Sequence, residues 1–89
     1  MRHALRKDDI EPEVVKALRA MGCKVEIIGQ PLDLLVWHRG RTLLVECKDA
    51  DGRISKTQAE FMASWPGEYH VVRSPREAVE AVLGKDALK

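Results

Sequence analysis

The sequence predicts an α/β fold in which helices flank a mixed central sheet. Two apolar runs joined by a short glycine-containing turn, at 32–38 and 41–48, are typical of a β-hairpin. A helix-capping sequence follows the hairpin, and after it come one more strand-like run and a second capping sequence. The order of these patterns, α-β-β-β-α-β-α, predicts a hairpin combined with one right-handed β-α-β crossover.

The first predicted helix covers residues 12–21, PEVVKALRAM. Its apolar side chains recur at helical spacing and fall on a single stripe made of Val14, Val15, Leu18 and Met21. Pro12 suits the first helical position, and Gly22 suits the residue just after the last turn. The next run, KVEII at 24–28, predicts a short strand.

The two hairpin strands are near-continuous apolar runs, LDLLVWH and RTLLVECK, joined by a turn at 39–40. Runs of this kind are expected in a sheet that is covered on both faces, where charged residues are out of place. Pairing the strands through this turn sets Asp33 opposite or next to Glu46. Residues 49–53, DADGR, are expected to form a loop.

The second half of the chain contains two helix starts. Residues 55–58 have the S-x-x-Q form of a capping box and predict a helix that ends at Pro66. The run YHVVR at 69–73 predicts a strand. Ser74, followed by a proline, predicts the start of a last helix that runs to about Leu83.

Length and composition favour one domain over residues 1–89, with room for a single modest core. The 45% hydrophobic and 33% charged residues are typical of a folded soluble protein and argue against disorder. No apolar run approaches the ~20 residues that span a bilayer, so no membrane association is expected. The amino-terminal residues, MRHALRKDDI, lack the apolar stretch of a secretory signal, which favours a cytoplasmic location.

Cysteine content and net charge narrow the possible functions further. Cys23 and Cys47 show neither a CxxC pattern nor zinc-ligand spacing to a histidine, so both are interpreted as small buried residues in a reducing compartment. The formal net charge is +1. Any binding of phosphate groups would therefore depend on local grouping of lysine and arginine residues.

Charged residues at one end of the hairpin indicate a functional site. In an extended strand Glu46 and Lys48 project from the same face, while Cys47 projects from the other. The predicted pairing brings Asp33 beside them, and two carboxylates at that distance repel each other unless a cation lies between them. Mg²⁺ or Mn²⁺, which prefer oxygen ligands, would remove this repulsion. Lys48 could then hold a phosphate or orient and activate a water, which is the equipment for metal-assisted phosphodiester hydrolysis.

The same residues also have an ordinary structural explanation. Asp33 could be a strand-end acid, and Glu46 could be a salt-bridge partner of Lys48 or Arg41, since E-x-K is common on solvent-facing strands. The metal site is favoured because charges are unexpected inside apolar strands and because the spacing agrees with the hairpin pairing.

The order and spacing of these motifs resemble the PD-(D/E)XK nuclease superfamily, and in particular the VRR-NUC domains of its small stand-alone phage and prophage branch. The similarity runs from about residue 9 to residue 83, through EPEVVKAL, PLDLLVWHRGRTLLVECKD, ISKTQAEFMASW and HVVRSPREAV. It implies a restriction-endonuclease-like αβββαβ core. One departure is Leu32, which separates Pro31 from Asp33 where the family usually has the two adjacent.

The resemblance implies a role for each matching residue of the hairpin. Asp33 and Glu46 would ligate the metal, and Lys48 would be the catalytic lysine. The backbone carbonyl of Cys47 would be a further metal ligand, while its side chain would face the core.

Residues of two helices also match the family pattern. The family takes a further metal ligand from its first helix, where Glu13 is the better match and Glu11 the alternative. The ordinary explanation for either glutamate is a first-turn acid that complements the helix dipole. Gln58 matches a glutamine that the family carries on the helix after E-x-K, and its alternative role is in the capping box.

Four basic residues in the loops flanking the predicted site could steer phosphate groups, namely Arg39, Arg41, Arg53 and Lys56. An ordinary charged surface explains them equally well.

The favoured function is a metal-dependent DNA endonuclease in which a water activated near Lys48 and the metal attacks the phosphorus. By resemblance, the product would carry a 5′-phosphate and the substrate would be branched or otherwise structured DNA. A homodimer is also expected, because pairing would double the small DNA-binding surface. The alternative is a non-catalytic nucleic-acid-binding or assembly module with the same fold, which the near-neutral charge permits.

Overall fold

The chain folds as a mixed sheet with helices packed on it, and the computed structural model describes residues 6–84. The elements of this range are α1 (Lys7–Ala20), β1 (Lys24–Ile27), β2 (Leu34–His38), β3 (Arg41–Cys47), α2 (Lys56–Ser64), β4 (Glu68–Val72) and α3 (Pro75–Leu83). The strands lie in the order β1-β2-β3-β4, antiparallel except for the parallel pair of β3 and β4. The predicted element order, hairpin and β-α-β unit are confirmed.

The β2–β3 hairpin has the predicted register. Leu34 pairs with Val45, and the two residues of the turn at 39–40 both have positive φ, as a tight hairpin turn requires. Continuing this register by one position sets Asp33 opposite Glu46. The hairpin therefore delivers both acids to the same end of the sheet.

The main core lies on one face of the sheet, where α1 and α3 pack. Its buried apolar side chains are Ile10, Val14, Val15, Leu18, Cys23, Val25, Leu34, Val36, Leu43, Val45, Cys47, Val72, Ala78 and Val82. Both cysteines are buried as expected, and burial raises the pKa of the Cys23 thiol. None of the helices described between residues 6 and 84 is long and apolar enough to cross a membrane.

Helix α1 begins earlier than predicted, so Pro12 lies inside the helix rather than at its first position. The apolar stripe extends back to Ile10, which is almost fully buried. Asp8 and Asp9 in the first turn favour a helix start here, and the carbonyl of Arg6 accepts the N–H of Ile10 at 2.8 Å. Burial of Ile10 outweighs the helical hydrogen bond that the proline cannot donate.

The outer face of the sheet, opposite α1 and α3, is only partly covered, so the expectation of strands covered on both faces is wrong for β2. Residues 43–47 of β3 are all buried, but Leu35 and Trp37 of β2 are exposed. The reason is the position of α2, because none of the residues Lys56–Ser64 is buried. Helix α2 therefore covers little of the sheet.

Candidate active site

Asp33 and Glu46, here called the acid pair, are buried at the carboxyl end of β3. Glu46 is 0% exposed and Asp33 is 7% exposed. The backbone N–H of Asp33 donates to Oε1 of Glu46 at 3.1 Å, and the backbone N–H of Cys47 donates to Oδ2 of Asp33 at 2.8 Å. Each carboxylate is thus held by the backbone of the opposite chain segment, which fixes the two acids side by side.

Lys48 brings a positive charge to the acid pair. Its Nζ lies 3.1 Å from Oε2 of Glu46, and its side chain is only 13% exposed. Burying a carboxylate is costly unless the charge is paired and hydrogen-bonded, and Glu46 has both kinds of contact. Among the described residues, the structure brings Lys48 to Glu46 and Asp33 to the same end of the sheet.

A second pair with the same strand spacing shows what an ordinary surface salt bridge looks like in this protein. Lys24 and Glu26 on β1 lie 3.7 Å apart, with side chains that are 73% and 59% exposed. Exposed pairs of this kind contribute little to stability. Burial distinguishes the Glu46–Lys48 pair from that arrangement and favours a specific role.

Alternation along β3 decides which groups face the acid pair. The side chain of Cys47 belongs to the core, and its backbone N–H contacts Asp33. The backbone N–H of Lys48 donates to the carbonyl of Val72 at 3.0 Å, which extends the pairing with β4 one residue past the strand. A ligand role for the Cys47 carbonyl stays a prediction.

The donor atoms of the acid pair suit a divalent metal with a preference for oxygen. Mg²⁺ is commonly held in proteins by one or two carboxylates together with waters and substrate phosphates. Within residues 6–84, no group of three or more His, Cys, Asp and Glu side chains is placed to hold a metal. The two carboxylates of the acid pair match the number that Mg²⁺ commonly takes from protein side chains.

Helix α1 carries both candidate helix ligands, Glu13 and Glu11. Glu13 is exposed on α1, and Glu11 lines a separate shallow cavity with Val15 and Ile27. Helix α1 packs on the core face of the sheet, whereas Glu46 projects from the outer face of β3. The assignment of Glu13 as a metal ligand stays a prediction.

Gln58 forms the predicted capping box of α2. Its backbone N–H donates to Oγ of Ser55 at 3.1 Å, and its side-chain Oε1 accepts the backbone N–H of Ser55 at 3.3 Å. Gln58 also lines an open groove of about 680 Å³ together with Pro31 and Phe61. Asp33, Glu46 and Lys48 are not among the residues that line this groove.

The four predicted phosphate-binding residues fall into two groups. Arg53 and Lys56 are exposed in the segment that follows Lys48. Arg39 and Arg41 lie at the turn end of the hairpin, away from the acid pair. The expectation that they flank the site is therefore wrong for these two residues. The length of β3 separates them from the acid pair, since each strand residue advances the chain by about 3.3 Å.

Arg41 belongs to an ionic cluster that the sequence did not reveal. Its guanidinium donates to both carboxylate oxygens of Glu68, at 3.0 and 2.6 Å, and to the carbonyls of Ala81 and Val82 at the end of α3. Nε2 of His70 lies 2.8 Å from Oε2 of Glu68. Hydrogen bonding to Arg41, with a smaller contribution from His70, lowers the pKa of Glu68 to about 2, and the same bonding raises the pKa of Arg41. The cluster ties β3, β4 and α3 together.

Arg73 is a second residue that the sequence did not single out. Its Nη1 donates to the carbonyl of Asp49 at 2.5 Å and to that of Gly52 at 2.8 Å, and so reaches the loop that follows Lys48. The partners are 24 and 21 positions apart in the chain. No local pattern marks a contact of that range.

The element order and the mixed four-stranded sheet are those of a restriction-endonuclease-like α/β fold. A solved structure described as a VRR_NUC domain superimposes on it with a TM-score of 0.74, at 20% sequence identity, over 89% of this chain and 96% of that chain. The predicted VRR-NUC, nuclease-type fold is therefore confirmed, and at this identity the likeness establishes the fold alone. No protein-family model and no curated protein matches the sequence.

Proposed function

We propose that this protein is a metal-dependent DNA endonuclease that hydrolyses phosphodiester bonds at the carboxyl end of β3. The observation that carries the proposal is the buried acid pair with the ammonium of Lys48 3.1 Å from Glu46, in a fold shared with a VRR_NUC domain. A buried charge cluster is weak evidence of stability, because an apolar core of the same size is often as stable or more so. Such clusters are common at catalytic sites, where charged groups take part in binding and catalysis.

Each residue of the site has a distinct role in this proposal. Asp33 and Glu46 hold Mg²⁺ or Mn²⁺, with the Cys47 carbonyl as a further ligand. When bound, the ion would supply positive charge that stabilises the phosphate and the leaving oxygen. Lys48 orients the attacking water and contacts a phosphate oxygen. Since Lys48 already lies against Glu46, it needs little rearrangement when the substrate arrives.

The groove lined by Pro31, Gln58 and Phe61 is the proposed path of the DNA. Gln58 forms part of its wall, and the exposed Arg53 and Lys56 provide positive charge in the segment after Lys48. Branched or otherwise structured DNA, cut to leave a 5′-phosphate, is the proposed substrate on the resemblance to VRR-NUC domains. A cytoplasmic location stays a prediction.

We further propose that the protein is a homodimer, joined through an aromatic patch on the outer face of the sheet. The patch consists of Leu35, Trp37 and Tyr69, which are 37%, 49% and 37% exposed. Strand register places Leu35 and Tyr69 on either side of the buried Leu44, in one row across the sheet. Exposed apolar patches on small proteins commonly mark interfaces, and a two-fold dimer would cover the patch with its own copy.

The proposed activity is tested by cleavage of branched and linear DNA with Mn²⁺ or Mg²⁺ and with EDTA. Glu46→Gln and Lys48→Ala should each lower the cleavage rate by about 100-fold or more, because each removes a group that acts on the reacting phosphate. The matched controls are Glu26→Gln and Lys24→Ala, which alter the exposed pair of β1. These controls should cleave like the wild type.

Two outcomes would contradict the proposal. One is cleavage that survives Glu46→Gln unchanged. The other is a folded wild type that cuts no substrate in either metal; if it still binds DNA, the non-catalytic binding module becomes the better description.

A further inference from the structure

The loop that follows Lys48 is closed and fastened to the end of β4. Within the loop, the N–H of Gly52 donates to the carbonyl of Asp49 at 3.1 Å, and the N–H of Asp51 donates to Oδ1 of Asp49 at 3.0 Å. Nη1 of Arg73 donates to the carbonyls of both Asp49 and Gly52, at 2.5 and 2.8 Å. One guanidinium nitrogen therefore fixes both ends of the turn.

Gly52 packs directly against the side chain of Lys48. A Cβ atom at position 52 would lie 3.2 Å from Cβ and 3.3 Å from Cδ of Lys48, closer than side-chain carbons normally approach. Unlike Gly40, Gly52 does not have a positive φ, so the need for glycine comes from this contact and not from the backbone conformation. The loop thus forms a wall along the aliphatic stem of Lys48.

Arg73 is itself held by the well-packed part of the molecule. Its backbone N–H donates to Oε1 of Glu77 at 2.7 Å, in the first turn of α3. Its neighbour Val72 is buried in the core and accepts the backbone N–H of Lys48 at 3.0 Å. A continuous set of contacts therefore runs from α3 through Arg73 and the loop to Lys48.

We propose that Arg73 and Gly52 are positioning residues for Lys48. Arg73 holds the 49–52 loop in place, and the loop confines the stem of the lysine so that Nζ stays at Glu46. A lysine side chain has many rotamers, and ordering it in advance lowers the cost of using it in a reaction. The inference rests on the proposed function for the role of Lys48 in cleavage, whereas the confinement of Lys48 can be measured without any activity.

The first test measures the accessibility of the Lys48 amine. Reductive methylation followed by peptide mass spectrometry gives the labelling rate of Lys48 relative to the exposed Lys24 in the same sample. Arg73→Ala should raise this ratio severalfold because it releases the loop that confines Lys48. Gly52→Ala should also raise it, because the added methyl group would displace the stem of Lys48 from its present position. Arg73→Lys, which keeps a positive donor, should restore part of the confinement. Arg76→Ala is the control, since Arg76 is exposed on α3 and pairs only with Glu80 among the described residues.

The second test separates positioning from a general loss of structure. In steady-state cleavage, Gly52→Ala and Arg73→Ala should lower kcat by about 10- to 100-fold with little change in KM, the range typical of residues that orient a reactive group. The rise in Tm on adding Mn²⁺ should remain, because the acid pair is intact. Gly52→Ala keeps every hydrogen bond of Arg73 and serves as the milder variant if Arg73→Ala does not fold.

The outcomes distinguish this inference from the proposed function. Unchanged Lys48 labelling in folded Gly52→Ala overturns the positioning role, whatever the activity. Increased labelling in a protein whose wild type cuts no DNA supports the positioning role and overturns the nuclease proposal.

Discussion

Glu46 carries a carboxylate at a position with no exposure to solvent. Removing such a group from water costs several kcal/mol, and the offset comes from the N–H of Asp33 and the ammonium of Lys48. The N–H of Asp33 is fixed by the hairpin register, whereas the ammonium of Lys48 depends on the conformation of the lysine side chain. A divalent ion at the acid pair would add further compensation.

Removing Lys48 should therefore destabilise the protein far more than removing Lys24. We expect Lys48→Ala to lower the free energy of unfolding by about 3 kcal/mol in EDTA, because Glu46 loses its buried cation. Lys24→Ala should change it by less than about 0.5 kcal/mol, since the pair with Glu26 is exposed. Urea unfolding measures both values, and equal small losses for the two variants would contradict this account of Glu46.

The acid pair could be predicted because it depends on two local facts, the turn at 39–40 and the alternation of side chains along a strand. The capping box at Ser55 and Gln58 could be predicted for the same reason. Arg73 could not, because its partners come from a different part of the chain. The exposure of Glu13 could not be predicted either, because helical periodicity does not say which end of the sheet a helix faces.

Among the elements, β3, β4 and α3 form one unit through the cluster of Arg41, Glu68 and His70. Arg41 donates to Glu68 through two nitrogens and also donates to the carbonyls of Ala81 and Val82, which lie in the last turn of α3 and have no helical donor of their own. The cluster lies at the end of β3 opposite the acid pair. One end of the strand thus serves mainly assembly, while the other carries the proposed chemistry.

This cluster predicts a specific dependence of stability on pH. The pKa of Glu68 is lowered from 4.5 to about 2 in the folded protein, chiefly by the hydrogen bonds from Arg41. Because this pKa is lower in the folded than in the unfolded protein, the ionised Glu68 carboxylate contributes its full stabilisation above pH 4.5. This contribution to the free energy of unfolding is lost as the pH falls from 4.5 through about 2. Because both side chains are partly exposed, we expect Glu68→Gln to cost only about 1 kcal/mol at neutral pH.

Thermal unfolding of wild type and Glu68→Gln over this pH range checks the expectation. The difference in Tm between the two proteins should shrink below pH 4.5 and be nearly gone at about pH 2. Glu60→Gln, on the exposed surface of α2, is the control and should show a small difference at every pH. If the difference in Tm between wild type and Glu68→Gln stayed constant down to the lowest pH, the charge of Glu68 would not contribute to stability.

The apolar face of helix α2 is not buried by another element of the described structure. Phe61 and Met62 in α2 and Trp65, which follows its last turn, fall at the spacing of one helical face, and the rings of Phe61 and Trp65 stack with centroids 5.2 Å apart. The whole helix nevertheless contains no buried residue, and Trp65 is 40% exposed. Periodicity identifies a face but does not say whether another element covers it.

For the whole molecule, the uncovered part of the sheet leads to a prediction about assembly. If the aromatic patch joins two copies, Trp37→Lys should convert the dimer to a monomer, because a buried lysine without a partner is strongly unfavourable at an interface. Leu83→Lys is the matched control, since Leu83 is also exposed but lies at the end of α3. Light scattering coupled to size-exclusion chromatography measures the mass, and a monomeric wild type at high concentration would rule out the patch as a dimer interface.

The topology of the whole molecule followed from the sequence because element order, short connections and crossover rules leave few arrangements. The coverage of the sheet could not be predicted from the sequence. The apolar run of β2 is the same whether a helix, a second copy or solvent faces Leu35 and Trp37. The early start of α1 was missed for a related reason, since the burial of Ile10 is a property of the assembled core.

The central claim is that the acid pair binds a divalent cation, and titration calorimetry with Mn²⁺ tests it most directly. The comparison is between wild type, Asp33→Asn and Asp9→Asn, an exposed acid on α1. We predict that the wild type and Asp9→Asn bind Mn²⁺ and gain thermal stability from it, while Asp33→Asn does neither. Equal binding by Asp33→Asn, or no binding by a folded wild type, would contradict the claim.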